Sequence, residues 1–110
     1  MTRLRSDFWV SAYLRRCAVD NVPAVLRRRG SPEAGAIFIK IDCLDGTAVL
    51  LGPAPQTEVD DSGERRFAPL HSAPRLPAPD AEARISRELN FDPDLWLIEV
   101  DDRAGRSFLD

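Results

Sequence analysis

Ala36-Ile37-Phe38-Ile39-Lys40-Ile41-Asp42 is the stretch from which the fold is read. In an extended chain its isoleucines, at 37, 39 and 41, share one face, and Phe38, Lys40 and Asp42 share the other. A run this short and this rich in β-branched residues is a strand rather than a helix. Asp45-Gly46 follows as a hairpin signal, and Thr47-Ala48-Val49-Leu50-Leu51 returns as the next strand. On the other side, Ala24-Val25-Leu26-Arg27-Arg28-Arg29 reads as a short strand after Pro23, and Ser31-Pro32-Glu33-Ala34-Gly35 as a turn. Residues 24–51 are therefore expected to form an antiparallel meander.

Two helices flank these strands. Trp9, Val10, Tyr13, Leu14, Cys17 and Ala18 recur at helical spacing, which predicts a helix over about 7–20. Ser6 or Asp7 would cap it at the start, and Asn21 would lie near its C-cap, before Pro23. Phe8, Val10, Ala12 and Leu14 also alternate, so a strand competes, but the segment's length favours a helix. Ala81, Ile85 and Leu89 form the apolar stripe of a second helix, over about 80–90, with Asp80 as its cap. Residues 52–64, with Asp60-Asp61, read as a loop, 65–70 as a short fourth strand, and 71–79, with three prolines, as extended chain. Leu95 to Val100 is a further strand, and Ser107-Phe108-Leu109 a short last one after the turn at 103–106. The expected fold is a single α+β domain over 1–110: two layers, a mainly antiparallel sheet of about five to six short strands, and both helices on one face. Trp9 and Tyr13 would dock the first helix on the sheet.

With 110 residues, 44% of them hydrophobic, the chain can bury a core without disulfide or metal. No run approaches the roughly 18 apolar residues of a membrane helix. The basic start is not followed by an apolar signal region, and an Arg-rich transit peptide would take core-forming residues with it. Cys17 and Cys43 match no metal or redox spacing, so reduced thiols and a cytoplasmic location are expected. The net charge of −3 is unevenly placed. Residues 1–40 hold eight basic and three acidic side chains, and residues 41–110 seven and fifteen. Either the two parts neutralise each other or the basic one meets a partner. Fourteen of the fifteen basic residues are arginine, as a GC-rich coding sequence produces, so the bias alone does not show that guanidinium geometry is needed.

Three separated segments carry a resemblance. They are Ser6-Asp7-Phe8-Trp9-Val10-Ser11-Ala12-Tyr13-Leu14-Arg15-Arg16-Cys17, then Arg28-Arg29-Gly30-Ser31-Pro32-Glu33-Ala34-Gly35-Ala36, and Phe91-Asp92-Pro93-Asp94-Leu95-Trp96 with Glu99 and Asp102-Arg103-Ala104-Gly105-Arg106-Ser107-Phe108-Leu109. Together they resemble the short alphaproteobacterial family catalogued as domain of unknown function 1491. The resemblance implies a bacterial cytoplasmic protein and brings no activity and no functional residue with it.

Read from the residues, five features are candidates. Arg3, Arg5, Arg15, Arg16, Arg27, Arg28 and Arg29 could meet phosphates or an acidic partner, although strand alternation points Arg28 away from Arg27 and Arg29. Gly30 and Gly35, beside Arg28 and Arg29, could cradle an anion; the plain alternative is a hairpin connection needing positive φ at glycine. Cys17, next to Arg15 and Arg16, could be a reactive thiol; the plain alternative is a buried hydrophobe. Asp92, Asp94, Glu99, Asp101 and Asp102 could hold a cation, and His71 could serve a hydrolytic site, but neither has a matching motif. The proline-containing segments around 53–55 and 69–79, and an open sheet edge, could contact a protein. No cofactor is implied. The function expected is a non-enzymatic protein-interaction or adaptor module with a protein partner. The alternative is a nucleic-acid-associated protein using the Arg-rich N-terminal part.

Overall fold

A computed structural model describes residues 4–55 and 64–109. Arg3 and the Asp60-Asp61 pair lie outside the described residues. The elements are α1 (Ser6–Val19), β1 (Ala24–Arg28), β2 (Ile37–Asp42), β3 (Thr47–Pro53), β4 (Phe67–Pro69), β5 (Leu76–Pro77), α2 (Ala78–Phe91) and β6 (Trp96–Asp101). They form an α+β fold around a six-stranded, mostly antiparallel sheet in the order β1-β6-β2-β3-β4, with β5 also paired to β3.

The hairpin β2–β3 forms as its sequence predicts, with Gly46 at φ 87°. Asp42 Oδ1 accepts the Leu44 N–H and Asp45 Oδ1 the Thr47 N–H, which fixes the turn. The expected meander is not formed, because β1 does not pair with β2. Strand β6 lies between them, antiparallel to β1 and parallel to β2. The reason is in its composition: Leu95-Trp96-Leu97-Ile98 is continuously apolar and buried, as suits a central strand covered on both faces.

The helices also depart from expectation, since they lie on opposite faces. Val10, Tyr13 and Cys17 of α1 pack with Ile37, Ile39, Ile41, Trp96, Ile98 and Val100. Ile85 of α2 packs with Phe38, Leu50, Leu95 and Leu97 on the other side. Strand β2 is apolar on both faces up to Lys40, so one helix layer could not cover it.

Helix α1 ends in a Schellman motif. Asn21 takes φ 58°, its N–H donates to Ala18 O, and the Val22 N–H donates to Cys17 O. The N-cap is Arg5 rather than Ser6 or Asp7, and Asp7, inside the first turn, accepts the Phe8 N–H through Oδ1 at 2.8 Å. Helix α2 begins at Ala78 after Pro77, so Asp80 supports its first turn by charge rather than capping it. The expected strand at 107–109 is absent. Phe108 has φ 57°, and Phe108 and Leu109 pack beside α1, where Tyr13 Oη donates to Ser107 O at 2.5 Å.

Ile98 faces Ile39 on one side and Leu26 on the other, at the centre of the sheet. Ile98→Ala should cost about 2–5 kcal/mol in urea unfolding. Val25→Ala, at a half-exposed edge position, should stay within about 0.5 kcal/mol. Equal costs would contradict the central placement of β6.

Candidate partner-contact surface

The turn at 30–36 is the joint of the molecule. A Cβ on Gly30 would stand 2.6 Å from the Leu95 carbonyl carbon, and one on Gly35 2.6 Å from Asp94 O. Neither glycine is left-handed, so close backbone approach requires them, rather than the positive φ of a hairpin. Ser31 N–H donates to Asp94 O at 2.9 Å, and the Trp96 indole donates to Ser31 O at 2.7 Å. The carbonyls of Glu33 and Pro32 accept the N–H groups of Ser6 and Asp7 at the start of α1, and Ser6 Oγ donates to Gly35 O. These contacts fill with backbone oxygen the place where an anion would meet the helix N-terminus.

Arginines of the basic part go to different places. Arg28 donates to Pro93 O at 2.6 Å, and the Arg29 guanidinium lies 5.2 Å from the centre of the Trp96 ring. Arg5 is held by Asp7. Arg27 enters an ion-pair network that the sequence reading missed. It bridges Glu82 of α2 at 2.9 Å and Glu99 of β6 at 3.0 Å, and Lys40 Nζ reaches the same two carboxylates at 2.6 and 3.4 Å. Lys40 is 7% exposed. Burial would lower its pKa, but the bonds and charges of Glu82 and Glu99 outweigh that and raise it. The available signal was a lysine in an otherwise buried strand, which demands a carboxylate from the covering helix. The two halves of the chain therefore partly neutralise each other here.

Among the described residues, Arg16 reaches the Phe108 carbonyl at 3.4 Å, and neither it nor Arg15, Arg29, Arg87 or Arg103 meets a carboxylate. Arg15 and Arg16 lie on the exposed side of α1. Cys17 lies on the opposite side, fully buried, and burial pushes its thiol up, against the lowering expected from neighbouring arginines. Cys43 is likewise buried and free.

The acidic group is divided. Asp92 Oδ1 accepts the Asp94 N–H in a local turn, and Asp102 holds Arg106. Glu99 and Asp101 do come together, with Asp42 as an unforeseen third, their oxygens within 4.8 Å. Burial, then the charges of Asp42 and Glu99, raise Asp101. These three could hold a cation, but Lys40 and Arg27 already supply positive charge to Glu99. His71 is a structural acceptor: Leu50 N–H donates to its Nε2 at 3.1 Å, while Nδ1 meets Ala73 O. The proline-containing stretch around it is built into the sheet edge, because β4 and β5 both pair with β3.

Surfaces left open among the described residues include the outer side of α1, the edge strands β1 and β4, and Phe91 at the end of α2, which is 88% exposed. Phe8, Ala12, Arg15 and Val19 are exposed at helical spacing. Phe8 is 56% and Val19 74% exposed, on a helix whose opposite side makes the core. A solvent-facing helix side is ordinarily polar.

The family model for proteins of unknown function, DUF1491, matches residues 4–110. This chain belongs to the DUF1491 family. Solved members are similar throughout. The crystal structure of a DUF1491 protein from Caulobacter crescentus is 34% identical, with a TM-score of 0.77 over 96% of this chain and 92% of that one. An NMR structure of a DUF1491 protein from Caulobacter crescentus gives 34% identity and 0.79 over 99% and 94%. The solution structure of a protein from Agrobacterium tumefaciens gives 36% identity and 0.75 over 91% and 86%. None of the curated proteins compared matches. Among the described residues, no helix of this DUF1491 chain is long and apolar enough to cross a membrane.

The Glu82 network makes stability depend on acid. Glu82 is lowered from 4.5 to about 2, by its bond to Arg27 above all, and by Lys40. Its contribution is full above pH 4.5 and is lost as pH falls towards 2. Allowing for its partial exposure, Glu82→Gln should cost about 1 kcal/mol near neutrality and less at pH 2. Urea unfolding across that range would show it, and a cost unchanged with pH would contradict it.

Proposed function

We propose that this protein is a non-enzymatic interaction module of the bacterial cytoplasm, which contacts a protein partner through the outer side of α1. The observation that carries this reading is the exposed line of Phe8, Ala12 and Val19 on a helix whose inner side is already committed to the core. Apolar side chains aligned on a rigid element lose little conformational freedom on binding and gain by leaving water. The free thiols of Cys17 and Cys43 suit a reducing compartment. Groups that could have served catalysis have structural engagements: Cys17 is in the core, His71 holds the β3 backbone, and Lys40 is bound to Glu82 and Glu99. The arginines of β1 are turned to Glu82, Glu99 and Pro93, which leaves a nucleic-acid backbone less to bind than the sequence suggested.

A photo-crosslinking phenylalanine analogue placed at Phe8 should capture a defined protein in the cells that make this chain. The same analogue at Ala83, exposed on α2, should not. No adduct from position 8, or one lost on nuclease treatment, would overturn the proposal, and the second result would point to nucleic acid.

A further inference from the structure

We infer that His71 is an acid-sensitive clasp: a proton on its ring unfastens the strap 67–77 from β3 and uncovers Phe38 and Leu50. The clasp is independent of α1 as a contact side. The outer edge of β3 is covered in two pieces, by β4 against 51–53 and by β5 against Thr47 and Ala48. Between them the chain bends away at 70–75, and the backbone of Leu50 falls in the gap. Leu50 O accepts the Leu70 N–H at 2.9 Å, as a continued ladder would have it. The Leu50 N–H donates instead to His71 Nε2 at 3.1 Å, so an imidazole stands where a strand partner's carbonyl would. Leu50 is fully buried, so losing that acceptor while the strap stays closed would leave its N–H without a partner or water.

The two bonds of the ring fix its charge. Nδ1 lies 2.7 Å from Ala73 O, which takes a protonated nitrogen, and Nε2 must be bare to accept the Leu50 N–H. The closed strap therefore holds the neutral ring with its proton on Nδ1. A second proton would set N–H against N–H at Nε2, so the imidazolium fits only an open strap. Imidazole is the side chain that ordinarily changes charge between about pH 5 and 8. The open form binds a proton that the closed form excludes, so the closed strap loses stability as pH falls. No carboxylate among the described residues bonds the ring to offset this. On the α2 side, Arg84 donates to Leu70 O and is paired with Glu88; within the strap, Arg75 is paired with Asp45. Strand β3 brings no titratable side chain, and Lys40, opposite Leu50 on β2, is held by Glu82 and Glu99. What the strap covers is apolar. A Cβ on Gly52 would stand 2.8 Å from the Phe38 ring and 3.1 Å from Leu70, so Leu70 closes over Phe38 and the cluster it forms with Leu50 and Ile85. Opening bares a strand edge and an apolar face together.

His71 is the only histidine, so its ring signals in NMR report its proton without ambiguity. The test follows that titration together with amide hydrogen exchange at Leu50 and Leu70, corrected for intrinsic rates. It compares the native chain with His71→Gln, whose side-chain oxygen accepts a hydrogen bond but does not titrate. Between about pH 7.5 and about pH 5.5, opening at both amides should rise about tenfold in the native chain and stay within about twofold in His71→Gln. Val22 and Trp96, whose N–H groups donate to Cys17 O and Ala36 O, should keep their protection throughout. Glu82 stays ionised over this range, and Asp101, raised by burial and by Asp42 and Glu99, is present in both proteins. Equal pH dependence in the two proteins, or a ring that takes up its proton while Leu50 and Leu70 stay protected, would overturn the clasp. If circular dichroism shows His71→Gln unfolded, the native chain decides alone: a loss at Leu50 and Leu70 matched by an equal loss at Val22 and Trp96 overturns it, and a loss confined to the strap supports it.

Discussion

The carbonyl oxygen of Asp94 lies against two glycines, and much of the structure depends on that contact. It accepts the Ser31 N–H at the place where Gly30 and Gly35 let the turn come close. The same turn accepts the Trp96 indole N–H through Ser31 O and the Trp96 backbone N–H through Ala36 O, which sets β6 beside β2 in parallel register. It also accepts the first N–H groups of α1. One irregular segment of seven residues, 30–36, therefore places the central strand and the helix that bears the contact surface.

This arrangement explains why the two sides of α1 have separate roles. Backbone carbonyls hold its first turn, a Schellman motif closes its last, and Val10, Tyr13 and Cys17 fix its inner side. The outer side is not needed for folding and can carry Phe8, Arg15 and Val19 at little cost to the fold. On the other face of the sheet, the Arg27–Glu82–Lys40–Glu99 network ties α2 down with charge. The N-terminal excess of positive charge is thus largely internal on one face and left outward on the other.

Local features were legible in the sequence. The isoleucine alternation gave β2, Asp45-Gly46 gave the hairpin, and Asn21 before Pro23 marked the end of α1. Partnership between distant segments was not legible. Nothing near residues 24–29 says that they pair with 97–100, because antiparallel pairing to a neighbour and to a distant strand ask for the same residue types. The glycines of the turn were noticed, but for φ rather than for Asp94, which is 59 residues beyond Gly35. The basic run was noticed too, yet its division between carboxylates, a carbonyl and an indole ring depends on elements that only the fold brings together. Exposure of Phe8 was hidden by an ambiguous helix, since apolar residues occur around most of its circumference.

The most direct test of this account is amide hydrogen exchange on Gly30→Ala, measured alongside its urea unfolding. An added methyl group should force the turn off Asp94 and cost about 1–3 kcal/mol. Protection should fall together at Ser6 and Asp7 in α1 and at Trp96 in β6, although these residues are far apart in sequence. Unchanged stability, or a loss of protection confined to residues 30–36, would contradict the claim that this turn places both elements.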